Sequence, residues 1–480
     1  MTERLAAGAP AFAPPAAFSR RKFLLPLALA QFICSFAGSN MNVMINDISK
    51  DLDTTVKGVQ TAITLFLLIM AILMIPGSKL TDRWGRKRCF IGGLILYGIG
   101  AVLSAAAPNL GVLILGNSIF EGVGTALLIP PVYILTTLAF DDLTSRAKAF
   151  GTIMGAAGLG AAAGPLIGGL LTTGISWRAA FVFQALMVLT IIILSRRSVV
   201  DPLPADPERP FDTVGAVLSG VGLFFLVFAI LQIGTHNVLA LVCAVIGAIF
   251  LLSFFVYIRR REHAGKDVLL STGLFKNRTS DLALVTQLTQ WLMLMGISFV
   301  VAVYLQTVRG YSAIETGVIF TAATVGVLLS SLGAERFAKR RSQRTLIIAG
   351  FVSTIAGIAL LIVIVRAWSN VLAFVPGLFV IGVGLGIMLT PSVNVVQSSF
   401  PEEQQGEISG LSRSISNLGS SLGTAIAGTI LVSAVATGSR SYLWAMISLA
   451  VAGGIGLVAA WFIPVDAGGP SVGHDQLQPD

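Results

Sequence analysis

Asn117, Glu121 and Thr125 stand four residues apart in an apolar run and would share one face of a helix built there. Glu121 is the only carboxylate that falls well inside a stretch long enough to cross a bilayer. An ionisable group at that depth is costly and is expected to face a cavity or a partner. Such a carboxyl is expected to rest protonated and to give up its proton when a cation binds, which is the chemistry of a proton carrier. It could equally hydrogen-bond the amides of a neighbouring helix and do nothing more. Gln31, Ser35, Ser39, Asn42 and Asn46 share a face of the first apolar run by the same spacing. Gln287, Gln290, and Asn394 beside Pro391 add polar groups at similar depth. Gln31, Ser35, Asn42, Asn117, Gln287, Gln290 and Asn394 are therefore candidates for a substrate cavity, the interhelical hydrogen bond being the plainer role for each. Trp291, Met293 and Phe299 could line an apolar pocket or pack between helices.

The elements that must hold these groups follow from composition. A soluble chain carries about 25% charged residues, whereas this one has 11%, with 55% hydrophobic residues and a mean hydropathy of +0.86. Lipid offers backbone groups no partner, so the runs must be helices of about twenty residues. Fourteen spans are expected, near 23–46, 58–76, 89–107, 111–136, 150–173, 177–195, 213–233, 238–258, 281–305, 315–334, 345–366, 370–398, 408–435 and 441–463. Lys79, Arg83, Arg86 to Arg88, Arg146, Lys148, Arg196, Arg197, Arg259 to Arg261, Lys266, Arg336, Lys339 to Arg341 and Arg344 fall in alternate loops. The intervening loops hold only single bases such as Lys50, Lys57, Arg178, Arg309, Arg366 and Arg440. Basic loops stay in the cytoplasm, so both termini are expected inside. The inside loop 399–407 has no base, but Arg413 follows in the first turns of the thirteenth span.

Several functions are disfavoured. The net charge of +9 comes without a basic groove or interleaved aromatics, so it reports topology rather than nucleic-acid binding. Cys34, Cys89 and Cys243 have no metal spacing, and His236, His263 and His474 lie in loops or the tail. No nucleophile–base pair, metal set or phosphate loop is visible, so neither an enzyme nor a cofactor is expected. Ser19 to Leu24 resembles a twin-arginine signal superficially, but reads more simply as a positive anchor before the first span. Residues 1–22, rich in Ala and Pro, and the tail 464–480 are expected to be unstructured. Pro202, Pro204, Pro207 and Pro210 mark a linker near 196–212.

An internal repeat organises the whole. Asp82-Arg83-Trp84-Gly85-Arg86-Lys87-Arg88 after the second span is matched by Glu335-Arg336-Phe337-Ala338-Lys339-Arg340-Arg341 after the tenth. Two six-helix bundles, 23–195 and 281–463, separated by a segment 196–280 with two inserted helices, would place the copies so. Duplicated halves are how transporters build a midplane site with two accessible states.

The run Gly77 to Arg88, with Gly77, Asp82, Arg83, Gly85 and Arg86, resembles the cytoplasmic loop signature of the major facilitator superfamily. In that fold Asp82 is suited to cap a helix N-terminus, and Arg83 and Arg86 to pair with acids such as Asp141 or Asp142. Gly160, Gly164, Pro165, Gly168 and Gly169, followed by Trp177-Arg178 and Phe181, resemble the fifth-helix signature of its exporters. Tyr311-Ser312 with Glu315-Thr316-Gly317, and Gly406-Glu407-Ile408-Ser409-Gly410, resemble its fourteen-helix drug/proton antiporter branch. The resemblance spans residues 24 to 462 and implies an all-α membrane protein of major facilitator fold. It implies proton-coupled export of amphipathic drugs or metabolites from the inner membrane, with a small molecule, protons and the bilayer as partners. Two positions depart from the branch: Ala37 stands where an acid is usual, and Ser118 where an Arg is usual, with Glu121 in place of Gln. Glu121 could take over the proton role. Otherwise the chain is an uncoupled facilitator or uptake carrier, or a membrane sensor on the same scaffold.

Overall fold

The computed structural model describes residues 20–140, 143–201, 205–208, 210–338, 341–367, 370–400, 404–433, 439–465 and 467. Among the described residues the regular structure is all helical. The long helices are α1 (Arg20–Asn40), α2 (Val56–Trp84), α3 (Arg86–Ala105), α4 (Leu110–Ala139), α5 (Leu143–Gly174), α6 (Trp177–Ser198) and α7 (Thr213–Gln232). They continue as α8 (Asn237–His263), α9 (Arg278–Val303), α10 (Ala313–Ala338), α11 (Gln343–Ala367), α12 (Val375–Ser398), α13 (Gln405–Ser433) and α14 (Ser439–Trp461). Among the described residues, thirteen of the helices are long and apolar enough to cross a membrane. The long helix outside that set is α13, which carries Glu407, Arg413, Asn417 and a run of serines. Its polarity has a structural reason, because α13 packs between α2 and α9. Its hydroxyls bond other helices there, Ser414 to the Ala71 carbonyl at 2.5 Å and Ser412 to Gln287 Oε1 at 2.9 Å.

Local chemistry fixes several helix ends. Thr55 accepts from the Gly58 amide at 3.1 Å at the start of α2, and Asn277 accepts from Thr279 and Ser280 at the start of α9. Gly85 closes α2 at φ +91°, a conformation side chains resist. The first span ends earlier than its hydropathy suggests: Met41–Val43 form a 3₁₀ turn, then a short helix Ile45–Asp51 follows. Two wide π-helical turns interrupt the ladder, Ile114–Glu121 in α4 and Tyr304–Val308 after α9. Such turns concentrate at functional positions.

The helices pack as two sets. In the first, α1 lies on α5 and α6, and α4 on α2 and α3. In the second, α12 lies on α10 and α11, and α9 on α13 and α14. The sets meet along α2 with α13 and along α5 with α10. Helices α7 and α8 pair, and α7 fills the groove between α2 and α13, where Leu68, Val227, Leu231 and Ala425 form a buried apolar cluster.

Candidate functional site

The two ends of the interface between the sets differ. The end where α2 meets α3, bearing Lys79 to Arg88, is the basic end, and the opposite one the outer end. At the outer end Gln306, set by the π turn, accepts from the Asn46 amide at 3.1 Å and donates to the Val43 carbonyl at 3.0 Å. The Ile314 amide donates to Thr173 Oγ1 at 3.2 Å. A Cβ on Gly169 would lie 2.5 Å from the Ala313 carbonyl oxygen, and one on Gly317 would overlap that of Pro165. Gly160, Gly164 and Gly168 meanwhile let α5 close on Phe32, Ser39 and Asn40 of α1. The Gly/Pro segment of α5 is thus a joint that touches both sets at once.

The same face of α5 behaves differently toward the basic end. Stepping back by sevens from Pro165 gives Gly158 and Gly151, and from Gly169, two such steps give Gly155. A Cβ at any of these three would meet nothing within 4 Å. The α5–α10 side is therefore shut at the outer end and open at the basic end. On the other side, α2 and α13 stay in register throughout. Gln60 donates to the Thr424 and Ala425 carbonyls at 3.1 and 3.2 Å, Ser421 to that of Thr64 at 3.1 Å, and Lys79 pairs with Glu407.

Glu121 ends the π turn of α4 and is fully buried. It does not meet the first-helix amides. Asn117 Nδ2 donates to its Oε2 at 3.3 Å, and the hydroxyls of Tyr97 and Ser104 on α3 lie beside it. Tyr97 donates in turn to Gln184 on α6. Gly100 makes this closeness possible, since a Cβ there would come within 2.8 Å of Glu121. Thr125 bonds the Glu121 carbonyl at 2.7 Å and accepts a weak bond from Cys34 of α1. Glu121 Oε1, Asn117 Oδ1, Ser104 Oγ and Gln184 Nε2 are buried without hydrogen-bond partners, and no cation among the described residues pairs with the carboxyl. Ser118, at the position where an Arg is usual in the resembled branch, bonds the Ala62 carbonyl of α2 at 2.8 Å.

The other expected cavity residues scatter. Gln31 donates to Ser35 at 3.5 Å and accepts from Tyr133 of α4 at 3.2 Å. Asn42 is buried in the 3₁₀ turn with its Oδ1 unsatisfied. Gln287 and Gln290 face inward in the second set, on Ser412 and Ser392, while Asn394 is exposed on α12. Met293 and Phe299 are fully buried packing residues, and Trp291 packs at the edge of the core. The three cysteines are unpaired and buried, and no group of potential metal ligands occurs among the described residues.

At the basic end, Asp82 pairs with Arg86 at 2.8 Å. The N-terminus of α3 is capped by Asp201 of the linker, whose Oδ2 accepts from the Arg86 and Lys87 amides at 2.7 and 3.2 Å. Asp141 and Asp142, expected partners of Arg83 and Arg86, lie outside the described residues, as do Lys339 and Arg340 of the repeat. Sequence reasoning also passed over a contact across the sets. Arg413 of α13 donates to the Tyr133 hydroxyl, with its guanidinium carbon 4.9 Å from that ring's centroid. It also reaches Met154 of α5 at 3.7 Å. The signal was available, because Arg413 is an ionisable residue inside a span. At the outer end Arg178 pairs with Asp51 and holds its carboxyl below the usual carboxylate range.

The profile of the Major Facilitator Superfamily matches residues 27–235 and 212–424. The chain is 29% identical over 418 residues to the puromycin resistance protein of Streptomyces alboniger, covering 86% of this chain and 82% of that one. It is 29% identical over 369 residues to the multidrug efflux pump LfrA of Mycolicibacterium smegmatis, covering 77% and 72%. A solved peptide transporter, POT, shares the fold at 17% identity, with a TM-score of 0.69 over 92% of this chain and 95% of that one.

Proposed function

Because the chain belongs to the Major Facilitator Superfamily, we propose that it exports amphipathic drugs or metabolites by alternating access. Membership makes it a multi-pass membrane transporter rather than an enzyme. The observation that carries the alternating-access reading is the α5 joint: one face shut on α10 at the outer end and open at Gly151, Gly155 and Gly158. A carrier caught open to one side has this shape. With the basic end in the cytoplasm of a bacterial inner membrane, the chain is open inward, ready to load cargo for export. The names of its relatives, a puromycin resistance protein and a multidrug efflux pump, accord with that direction. The fourteen-helix drug/proton antiporter branch fits once α13 is counted as a span.

Glu121 is the proposed proton carrier. A lone buried carboxyl ringed by unsatisfied polar atoms changes its bonding when its proton leaves, which can bias one packing of α3 and α4 over another. Ser118, bonded to a backbone carbonyl, favours a second reading, a carrier with no proton coupling. The test is dye efflux from cells expressing the wild type or Glu121→Gln, using rhodamine 123 and fluorescein, with and without a protonophore. The expected result is outward transport of at least one dye by the wild type, sensitive to protonophore and reduced by the substitution. Equal equilibration in both directions would remove export, and retention identical to control cells would remove transport of such dyes altogether.

A further inference from the structure

We infer that Arg413 is the counter-charge of a binding site for amphipathic anions, which makes negatively charged amphipaths the cargo; this rests on the export reading. Arg413 lies two turns into α13, where its guanidinium is always charged. A charge at membrane depth normally finds an opposite charge or a wet cavity. Among the described residues no carboxylate pairs with it. Its contacts are the Tyr133 hydroxyl and ring face and the Met154 sulfur, none of which carries a negative charge to answer a five-donor fork. Glu121, the one carboxylate deep in a span, is shut inside the first set by α3 and α6 and cannot serve it. Lys79 and Glu407, nearer the basic end, neutralise each other.

The surroundings fit a flat, apolar body with a negative head. Tyr133 stacks on Phe150 with ring centroids 6.0 Å apart, and Gln31 offers an amide bonded to the same Tyr133 hydroxyl. Met154 is 39% exposed and stands on α5 next to the face that opens toward the basic end, so the cluster borders the entrance. A carboxylate or sulfonate would take the guanidinium bidentately, with Tyr133 and Phe150 against an aromatic ring. Because Arg413 comes from one set and Tyr133, Phe150 and Met154 from the other, an anion held between them would bridge the two halves that must move.

Fluorescein and rhodamine 123 share a ring system and differ in the sign of their charge, so they isolate the claim. Binding is measured by fluorescence anisotropy to the full chain in phosphatidylcholine nanodiscs, for wild type, Arg413→Lys, Arg413→Gln and Tyr133→Phe, with thermal melting to confirm folding. Fluorescein should bind the wild type and weaken by roughly 10- to 100-fold in Arg413→Gln, with Arg413→Lys intermediate and rhodamine 123 unchanged or improved. Absence of fluorescein binding, or a loss in Arg413→Gln shared equally by both dyes, overturns the proposal. So does complete displacement of fluorescein by phosphatidylglycerol nanodiscs, which would make this a lipid-headgroup site. The two readings fail separately. Rhodamine 123 exported without any fluorescein binding sinks the anion site alone, whereas Arg413-dependent fluorescein binding with no efflux of either dye sinks export alone.

Discussion

Gly169 offers a direct test of the α5 joint. A Cβ there would sit 2.5 Å from the Ala313 carbonyl oxygen and 3.0 Å from its carbonyl carbon and from Ile314 Cα, all backbone of the other set. Backbone cannot swing aside as a side chain can. To reach ordinary contact at 3.4 Å, α5 and α10 must part by about 0.9 Å at the outer end. Overpacking of this kind costs about 1–3 kcal/mol. The outward-open state, with these ends separated, does not feel the added methyl. Gly169→Ala should therefore favour it by roughly 5- to 150-fold. Spin labels at the exposed positions Ile175 and Val318 would report the outer-end distance in nanodiscs, and the native cysteines are all buried. Gly93→Ala is the control: its Cβ would meet the Gly124 carbonyl at 2.7 Å inside the first set, a contact both states share. It should lower the melting temperature and leave the distance distribution alone. If Gly169→Ala leaves the distribution unchanged, or Gly93→Ala shifts it equally, the joint does not set the conformational balance.

Three further outcomes follow from the same geometry. Asp201→Asn removes a charged cap from the first turn of α3, and should cost about 1 kcal/mol, read as a lower melting temperature that Asp206→Asn does not reproduce. Asp51 has its carboxyl held down by Arg178, so its contribution is complete above the ordinary carboxylate value near 3.9 and is lost as pH falls through its lowered folded value. The stability difference between wild type and Asp51→Asn should accordingly stay flat from pH 8 to 5 and close only in stronger acid; a change centred near neutrality would refute the pairing. Gly100→Val, which places bulk where Glu121 and the Gly116 carbonyl lie within 3 Å, should separate α3 from α4 and abolish transport, whereas Gly92→Val, at a position facing open space, should be tolerated in the same efflux assay.

Helix type and the clustering of bases at one end were legible because lipid imposes strong rules, mandatory helix and asymmetric bases, whereas of the fourteen expected spans thirteen are long and apolar enough among the described residues, α13 being too polar to qualify. The α5 signature was legible because close approach of backbones admits only small residues. What the sequence hid was direction around the helix axis. Asn117, Glu121 and Thr125 do meet at four-residue spacing, but the spacing does not say which neighbours they face: Ser118 turns toward α2 and Glu121 toward α3. Partners distant in sequence were also hidden. Arg86 meets Asp201 of the linker, 115 residues away, and Arg413 meets Tyr133, 280 residues away. A base near the end of a span reads as topology until its neighbours are seen.

The charge of the cargo and the role of Glu121 bear on each other. A monovalent cation exchanged for one proton moves no net charge, so only the pH gradient drives it, at about 1.4 kcal/mol per unit. An anion leaving as a proton enters moves two charges, worth roughly 4.6 kcal/mol per 100 mV in addition. An anion leaving alone still gains about 2.3 kcal/mol per 100 mV, close to a fifty-fold gradient without any proton. A chain with Ala37 and Ser118 at the usual charged positions could therefore still pump an anion, though not a cation, if Glu121 failed to couple. Glu121→Gln in proteoliposomes should then reduce fluorescein accumulation and leave a part that follows an imposed potassium–valinomycin potential. Fluorescein flux that ignores the potential in both wild type and Glu121→Gln would show that no net negative charge leaves with the cargo, and would refute the link between Arg413 and the driving force.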